Sequence, residues 1–238
     1  MTTRLSLIAV TLALAGTLPA TAQDDYRYDS DYGTGNAFRI FGGVLEPEGD
    51  SQYWEDNEVD FTGETSDFED FVGGIEYVRE IRGNLRLHVG GTLFEGSSTQ
   101  GYRGFEDGDG DDILHDTTLT LATATVGLGV NLAPRHAPVV PYVGVGAGLY
   151  AWELEEAGDF IDFSGPELEI FSDVFTDDGV ATGWYWMAGL EVSVSSQLSF
   201  FAQGRWHNAE DDLEGDFIDL GELDLSSREL SAGLTWRF

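Results

Sequence analysis

The sequence of 238 residues contains no cysteine and no lysine, and it has no apolar run long enough to cross a membrane as a helix. The absence of cysteine excludes disulfide frameworks, thiolate metal sites and cysteine nucleophiles. Without a spanning helix, a membrane location requires a closed β-barrel. All 11 cationic residues are arginines, against 44 acidic residues, and a net charge of -33 excludes nucleic acid as a partner.

The first residues have the pattern of a secretory signal peptide. Arg4 precedes a short apolar run over 5–16, and Ala20-Thr21-Ala22 forms a small-residue cleavage pattern before Gln23. We therefore predict a cleaved signal peptide over 1–22, an acidic N-terminal tail over 23–36 and a single domain over 37–238.

Strand character recurs along the predicted domain. Its segments alternate apolar and polar residues, or are rich in glycine, over nine residues or more, the length that a tilted membrane strand needs. Strands of a soluble sandwich are usually about 5 or 6 residues long. The eight segments are 37–45, 70–78, 84–94, 118–132, 140–152, 183–194, 198–207 and 229–238.

Short and long connections alternate between these segments. The short ones lie around 81–83, 133–138 and 195–197, and the long ones span 46–69, 95–117, 153–182 and 208–224. Short periplasmic turns that alternate with long external loops are typical of outer-membrane barrels. The sequence thus predicts an all-β fold, an eight-stranded antiparallel up-and-down transmembrane β-barrel.

Charge is distributed unevenly between the two ends of this predicted barrel. The four long connections, with the flanking Asp70, hold 36 of the 44 acidic residues, but Arg103 is their only arginine. Arg79, Arg82 and Arg135 instead flank the short turns. We therefore expect four acidic extracellular loops.

Three motifs resemble one known family. They are Pro141-Tyr142-Val143-Gly144-Val145-Gly146-Ala147-Gly148, Trp186-Met187-Ala188-Gly189-Leu190-Glu191 and the ending Ala232-Gly233-Leu234-Thr235-Trp236-Arg237-Phe238. The chain resembles the eight-stranded outer-membrane β-barrel domain family, which includes the barrel of outer-membrane protein A and the opacity surface antigens. The resemblance implies a location in the outer membrane of a Gram-negative bacterium. It also implies that Trp236 and Phe238 form the signal read by the barrel-assembly machinery.

Six charged residues fall on predicted inward faces. The interior of an eight-stranded barrel has room only for side chains or one small ligand, and unpaired charges there are costly. We expect a paired internal plug in which Glu76 lies near Arg86 and His88, and a gated or narrow conducting path is the alternative. The six residues are Arg39, Glu76, Arg86, Glu191, Arg205 and Glu229.

The stretch 106–112 spaces its carboxylates as a calcium loop does. Asp107, Asp109, Asp111 and Asp112 are the candidate ligands, but the required glycine and the glutamate at the twelfth position are missing. We expect no cofactor, with at most loose binding of divalent cations by the acidic loops.

No set of nucleophile, base and orienting group can be assembled around a histidine. His88, His115, His136 and His207 have no serine partner at a local spacing that would suit catalysis, so we predict that the protein is not an enzyme.

Aromatic residues fall into two groups. Trp184, Trp186 and Trp206 at outer strand ends, and Tyr77, Trp236 and Phe238 at periplasmic ends, are expected to form interface girdles. Others lie in acidic loops, where they either grip a surface partner or fold the loops back over the barrel mouth. This second group comprises Tyr53, Trp54, Phe160, Phe163, Phe171 and Phe175.

The predicted function is a structural or surface-interaction (adhesin-like) role through the four acidic loops. The alternative is a narrow porin-like channel for small or apolar solutes, since inward Gly144, Gly146 and Gly148 either receive bulky neighbours or leave space. A lipid-modifying outer-membrane enzyme is a third possibility. The expected partners are outer-membrane lipid and lipopolysaccharide, the barrel-assembly machinery and a surface ligand at the loops, with the protein itself a monomer.

Overall fold

The structure, a computed structural model, describes residues 35–134, 137–165, 168–218 and 220–238. The predicted signal peptide over 1–22, nearly all of the predicted tail over 23–36, and Arg135 and His136 lie outside the described residues. No helix in the described part of the chain is long and apolar enough to cross a membrane.

Nine strands form one continuous sheet. Their bounds are β1 Asn36–Pro47, β2 Asp70–Arg82, β3 Leu85–Glu106, β4 Asp112–Asn131, β5 Val139–Asp162, β6 Glu169–Ser193, β7 Leu198–Asp212, β8 Glu222–Asp224 and β9 Ser227–Arg237. Each long strand pairs antiparallel with its neighbours, and β9 pairs with both β1 and β7. The β6–β7 pairing completes a ring of eight strands, with the three-residue β8 attached to β7. The predicted eight-stranded antiparallel barrel is confirmed.

Side chains alternate between the two faces of this ring because successive residues of a strand point to opposite sides. Ile40 of β1, for example, lies between Ile75 of β2 and Leu234 of β9, and all three are exposed on the outside. The outward face is apolar around the ring, as a lipid-facing band requires. Arg39 and Glu76, which are register partners, point inward.

Two predicted loops are largely strand. The connections predicted over 95–117 and 153–182 are mostly taken up by strands, because β3 to β6 continue for 20 to 25 residues each. Only five residues separate β3 from β4 and only six separate β5 from β6. Alternation of apolar residues fades in these segments since their inner face turns polar, as at Ser98, Gln100 and Thr117. The strands therefore extend beyond the apolar band as a wall on one side of the barrel.

The other two long connections fold over the barrel mouth. The first contains helix α1, Gln52–Asp60, and a 3₁₀ turn at Thr65–Phe68. The second contains a 3₁₀ turn at Gly215–Phe217 and β8. Both bring apolar side chains down into the upper half of the ring.

Candidate functional site

Two carboxylates organise the lower half of the barrel interior. Glu76 Oε2 lies 3.1 Å from Arg39 Nη1 and 2.9 Å from His88 Nδ1, and the other oxygen of Glu76 accepts a hydrogen bond from Arg205. Glu191 Oε2 lies 2.8 Å from Arg39 Nη2. These side chains are almost completely buried. Arg39 therefore joins the two carboxylates across the interior.

The remaining predicted charges surround this pair. Arg86 Nη1 donates to Glu191 at 2.9 Å, and Arg86 Nε lies 3.8 Å from Glu80. Ser231 Oγ donates to Glu229 at 2.7 Å. The structure therefore places all six predicted charges inside the barrel, but the partner of Arg86 is Glu191 and not Glu76 as expected. The reason is that Glu76 is already surrounded by Arg39, Arg205 and His88.

Sequence reasoning missed four contributors to this network. Arg237, the last residue of β9, binds Glu191. It lies an even number of residues from Glu229, and this spacing on the same strand face would have revealed it. Tyr142 accepts from Arg39 at 3.4 Å. In the orientation that satisfies both of its neighbours, Gln203 donates to the Tyr142 hydroxyl and accepts from Arg205 Nε, each at 3.0 Å. The Phe201 ring lies 4.5 Å from the Arg39 guanidinium carbon.

A small opening leads into this network. It lies at the end of the barrel that carries the short turns, between the start of β1 and the end of β9, with Arg39, Arg86, Glu191 and Arg237 in its wall. Its volume of about 10 Å³ is near the smallest that holds one water molecule. At this opening the ionic network therefore leaves room for about one water molecule.

An apolar plug fills the upper half of the interior. Trp54 and Tyr53 of α1 and Phe68 of the first 3₁₀ turn pack against Trp152 and Leu154 on the wall. The Trp54 indole donates to the Asp224 carbonyl at 3.0 Å, and the Tyr53 hydroxyl donates to Glu156 at 2.7 Å. The plug thus has its few polar atoms satisfied as well as its rings buried.

This packing decides between the two interpretations of the loop aromatics. Tyr53 and Trp54 are buried and fold the first loop back over the mouth. Phe160 is also buried and Phe175 packs against the plug, but these two lie in strands β5 and β6 of the wall. Phe163 and Phe171 remain exposed near the tip of the β5–β6 hairpin, where a partner can reach them.

The inward glycines of β5 receive bulky neighbours. The Met187 methyl group lies over Gly144 and the Tyr185 ring over Gly146, each so close that an added Cβ would meet it at 2.5 Å. The Thr125 methyl group takes the same position over Gly148. These glycines therefore make room for side chains and not for a channel.

In the acidic turn between β3 and β4, one carboxylate accepts hydrogen bonds from backbone amides of the same turn. Asp107 Oδ1 accepts from the amides of Asp109 and Asp111, each at 2.9 Å, and these bonds lower the pKa of Asp107. No group of three or more His, Asp or Glu side chains within the described ranges is arranged to hold a metal ion. Asp112 begins β4.

Both predicted assembly residues point outward at the rim that carries the short turns. Trp236 and Phe238 are exposed, and the Phe238 ring stacks on Phe38 of β1 with centroids 5.4 Å apart. At the other rim, Trp186 and Trp206 stack in parallel at 3.7 Å. Aromatic residues thus mark both edges of the apolar band, as in membrane barrels.

Comparison with known families decides what kind of barrel this is. Residues 8–238 match the family described as outer membrane protein beta-barrel domain. The chain belongs to this family. As an outer-membrane β-barrel protein it is located in the cell outer membrane, where its apolar band contacts lipid.

Solved structures of other outer-membrane proteins share the fold. Neisserial surface protein A is 15% identical, with a TM-score of 0.52, and the match covers 86% of this chain and 98% of that one. OprG from Pseudomonas aeruginosa is 10% identical, with a TM-score of 0.51 and coverage of 87% and 97%. No curated protein matches the sequence.

Proposed function

We propose that this outer-membrane barrel is a surface-interaction, adhesin-like protein whose binding element is the upper part of the β5–β6 hairpin. The observation that carries the proposal is the length of this hairpin. Its strands remain paired from Val139↔Val192 to Asp162↔Glu169, well beyond the apolar band. A rigid element that stands above the membrane can reach a partner that a short loop cannot.

The tip of the hairpin exposes large apolar side chains to water. Phe163, Leu168, Ile170 and Val174 are each about half exposed. A contiguous apolar patch outside the lipid band is typical of a protein-binding surface. Lipid does not account for these residues, since exposed carboxylates at Asp159, Asp162, Glu169 and Asp173 lie among them.

Charge and backbone geometry indicate the class of partner. The acidic side chains attract a cationic partner and repel an anionic one. In addition, β6 pairs with β7 only from Gly183 onward, so its edge over 169–175 has no neighbouring strand among the described residues. An exposed edge offers unpaired backbone groups to an added strand. We expect the partner to be a basic polypeptide that binds in an extended conformation.

Binding of a designed probe tests this proposal. The probe is a fluorescent 12-residue peptide of alternating lysine and valine, titrated against the full chain in nanodiscs and followed by anisotropy. Replacing Phe163, Leu168 and Ile170 with serine should weaken binding at least tenfold, about 1.4 kcal/mol, because each loses apolar burial. The matched control replaces exposed Ile218 and Leu220 of the fourth loop with serine and should leave binding unchanged.

Two results would contradict the proposal. One is an equal loss of peptide binding in the variant of the hairpin tip and in the control variant of the fourth loop, since that would indicate non-specific adsorption. The other is the absence of binding at low ionic strength, where attraction between opposite charges is strongest.

The packed interior argues against the transport alternative. An ionic network in the lower half and an apolar plug in the upper half both occupy the lumen. We expect proteoliposomes containing the protein to swell in arabinose no faster than empty liposomes. Clear flux would favour the channel.

We also propose that the protein has no enzymatic activity and no cofactor. His88 and His207 face carboxylates, and no histidine in the described ranges hydrogen-bonds to a serine. Unaltered lipid A after overexpression is the expected result. Lipopolysaccharide and the barrel-assembly machinery are proposed as its membrane and assembly partners, on the grounds of the outer-membrane location and the aromatic terminal strand.

A further inference from the structure

Three buried polar residues line the inner wall above the apolar band. Gln100 of β3 and His115 of β4 are register partners, and Thr117 follows His115 on the same face. Their exposed fractions are 0%, 1% and 0%. Both amide atoms of Gln100, both ring nitrogens of His115 and the Thr117 hydroxyl have no hydrogen-bond partner among the residues that the structure describes. We call this group the polar wall.

A three-residue segment of the first loop covers the polar wall. This segment, Phe61-Thr62-Gly63, is named the latch. The Phe61 ring lies 4.5 Å from the His115 ring, and Gly63 packs so closely on Gln100 that a Cβ would come within 2.7 Å of its Cγ. Two hydrogen bonds hold the latch to β3, from the Thr62 amide to the Gly101 carbonyl at 2.9 Å and from the Gly101 amide to Thr62 Oγ1 at 3.0 Å.

The latch is the weak part of an otherwise well-anchored loop. On one side Trp54 is buried in the plug, and on the other Phe68 is fully buried and a reciprocal capping box joins Glu64 to Asp67. Between these two anchors the latch covers the polar wall, whose buried polar atoms are shielded from water and have no hydrogen-bond partner among the described residues. Each such group is destabilising, so hydration of the polar wall favours an open latch.

Protonation of His115 is expected to affect the opening of the latch, because its imidazole lies in an aromatic enclosure. The rings of Phe61, Tyr102 and Phe160 surround its imidazole at centroid distances of 4.5, 5.9 and 5.2 Å. An imidazolium in this aromatic enclosure would lack both water and a hydrogen-bond acceptor. We propose that the latch is a proton-operated lid, which opens when His115 takes up a proton and admits water to the polar wall.

The direction of the pH dependence follows from the surroundings of the His115 imidazole. Burial lowers the pKa of His115, and the charge of Asp116 opposes this only in part. A water-exposed imidazole has a pKa of about 6.5, so the open form binds the proton more tightly than the closed form. Closure is therefore fully favoured above pH 6.5 and is lost as the pH falls, with the open fraction rising up to tenfold per pH unit.

Other titratable groups lie near His115 or near the neighbouring Tyr102 ring. They are Asp60 at the end of α1, Tyr102 on β3, Asp116 on β4 and Glu156 on β5. Burial raises the pKa of Glu156, while the hydrogen bond from Tyr53 opposes this shift. Protonation of Glu156 thus favours the buried arrangement and works against the lid, so the experiment must separate these two groups.

Hydrogen exchange of the Thr62 amide measures the lid directly, because that amide makes the closing bond to Gly101. The full chain in nanodiscs is compared at pH 7.5, 6.5 and 5.5, with rates corrected for intrinsic pH dependence. Protection of Thr62 should fall up to tenfold between pH 6.5 and 5.5. The amide of Leu121, deep in β4, is the internal reference.

Three variants assign the effect. His115→Phe should abolish the pH dependence and Glu156→Gln should preserve it. Gln100→Leu, which removes two unpartnered atoms, should raise Thr62 protection at every pH. Protection that is constant or rises on acidification in the wild type, or that falls in Gln100→Leu, would overturn the proposal.

Discussion

Glu191 is the residue on which three guanidinium groups converge, those of Arg39, Arg86 and Arg237. Removing one partner from a buried ionic network leaves charges without compensation and typically costs about 3–5 kcal/mol. We expect Glu191→Gln to lower the free energy of unfolding by that amount, measured by urea titration in lipid bilayers.

The matched control for this prediction is Glu95→Gln, which changes an exposed carboxylate on β3. It should change stability by less than about 0.5 kcal/mol. Equal stability of the two variants would mean that water or a rearranged arginine compensates the loss, and that the network contributes little.

At this scale the sequence predicts which charges face inward but not which of them pair. Parity along a strand places Glu76, Arg86 and Glu191 inside, because successive side chains alternate between faces. Pairing depends on side-chain reach across the interior, and Arg39 bridges strands that are not neighbours. Local spacing carries no information on such a contact.

Among the elements, β5 depends most on its glycines. Gly146→Ala would place a methyl group against the Tyr185 ring and the Val126 carbonyl. Because the ring is fully buried and the carbonyl belongs to the sheet backbone, we expect a loss of about 1–3 kcal/mol in stability. Gly108→Ala, at an acidic turn with open space around it, should be neutral in the same unfolding assay.

The number of strands, their order and the short turns could be predicted from the sequence. The ends of the strands that extend beyond the apolar band could not. Within the membrane, lipid outside and packing inside impose a clear alternation on β4 and β5. Above it both faces tolerate polar residues, so Gln100 and Thr117 lie in strands that hydropathy does not reveal. The fold of the first loop onto the plug was left open because aromatic residues such as Trp54 suit either role.

At the scale of the whole molecule, the first and last strands of the barrel meet at one seam. β9 pairs with β1, and Phe238 stacks on Phe38 at the periplasmic rim. If the terminal aromatics are read during assembly, Phe238→Ser should reduce the fraction of heat-modifiable, membrane-inserted barrel in cells. Refolding of the purified variant into detergent should remain close to wild type.

A different outcome would separate recognition from stability at this seam. If Phe238→Ser refolds as poorly in detergent as it assembles in cells, the residue acts by stacking on Phe38. Ile75→Ser, another exposed apolar residue of the outer face, is the comparison for a simple loss of lipid contact.

Because the strands differ in length, the barrel is tall on one side and low on the other. β5 has 24 residues whereas β1 on the opposite side of the ring has 12, a difference of about 40 Å of strand at 3.3 Å per residue. A neighbour in the membrane plane would meet a low rim on the side of β1, β2 and β9 and a tall wall on the side of β3 to β6. Crowding by other surface molecules would then be uneven around the protein, and approach to the hairpin edge would be easiest from above the low rim.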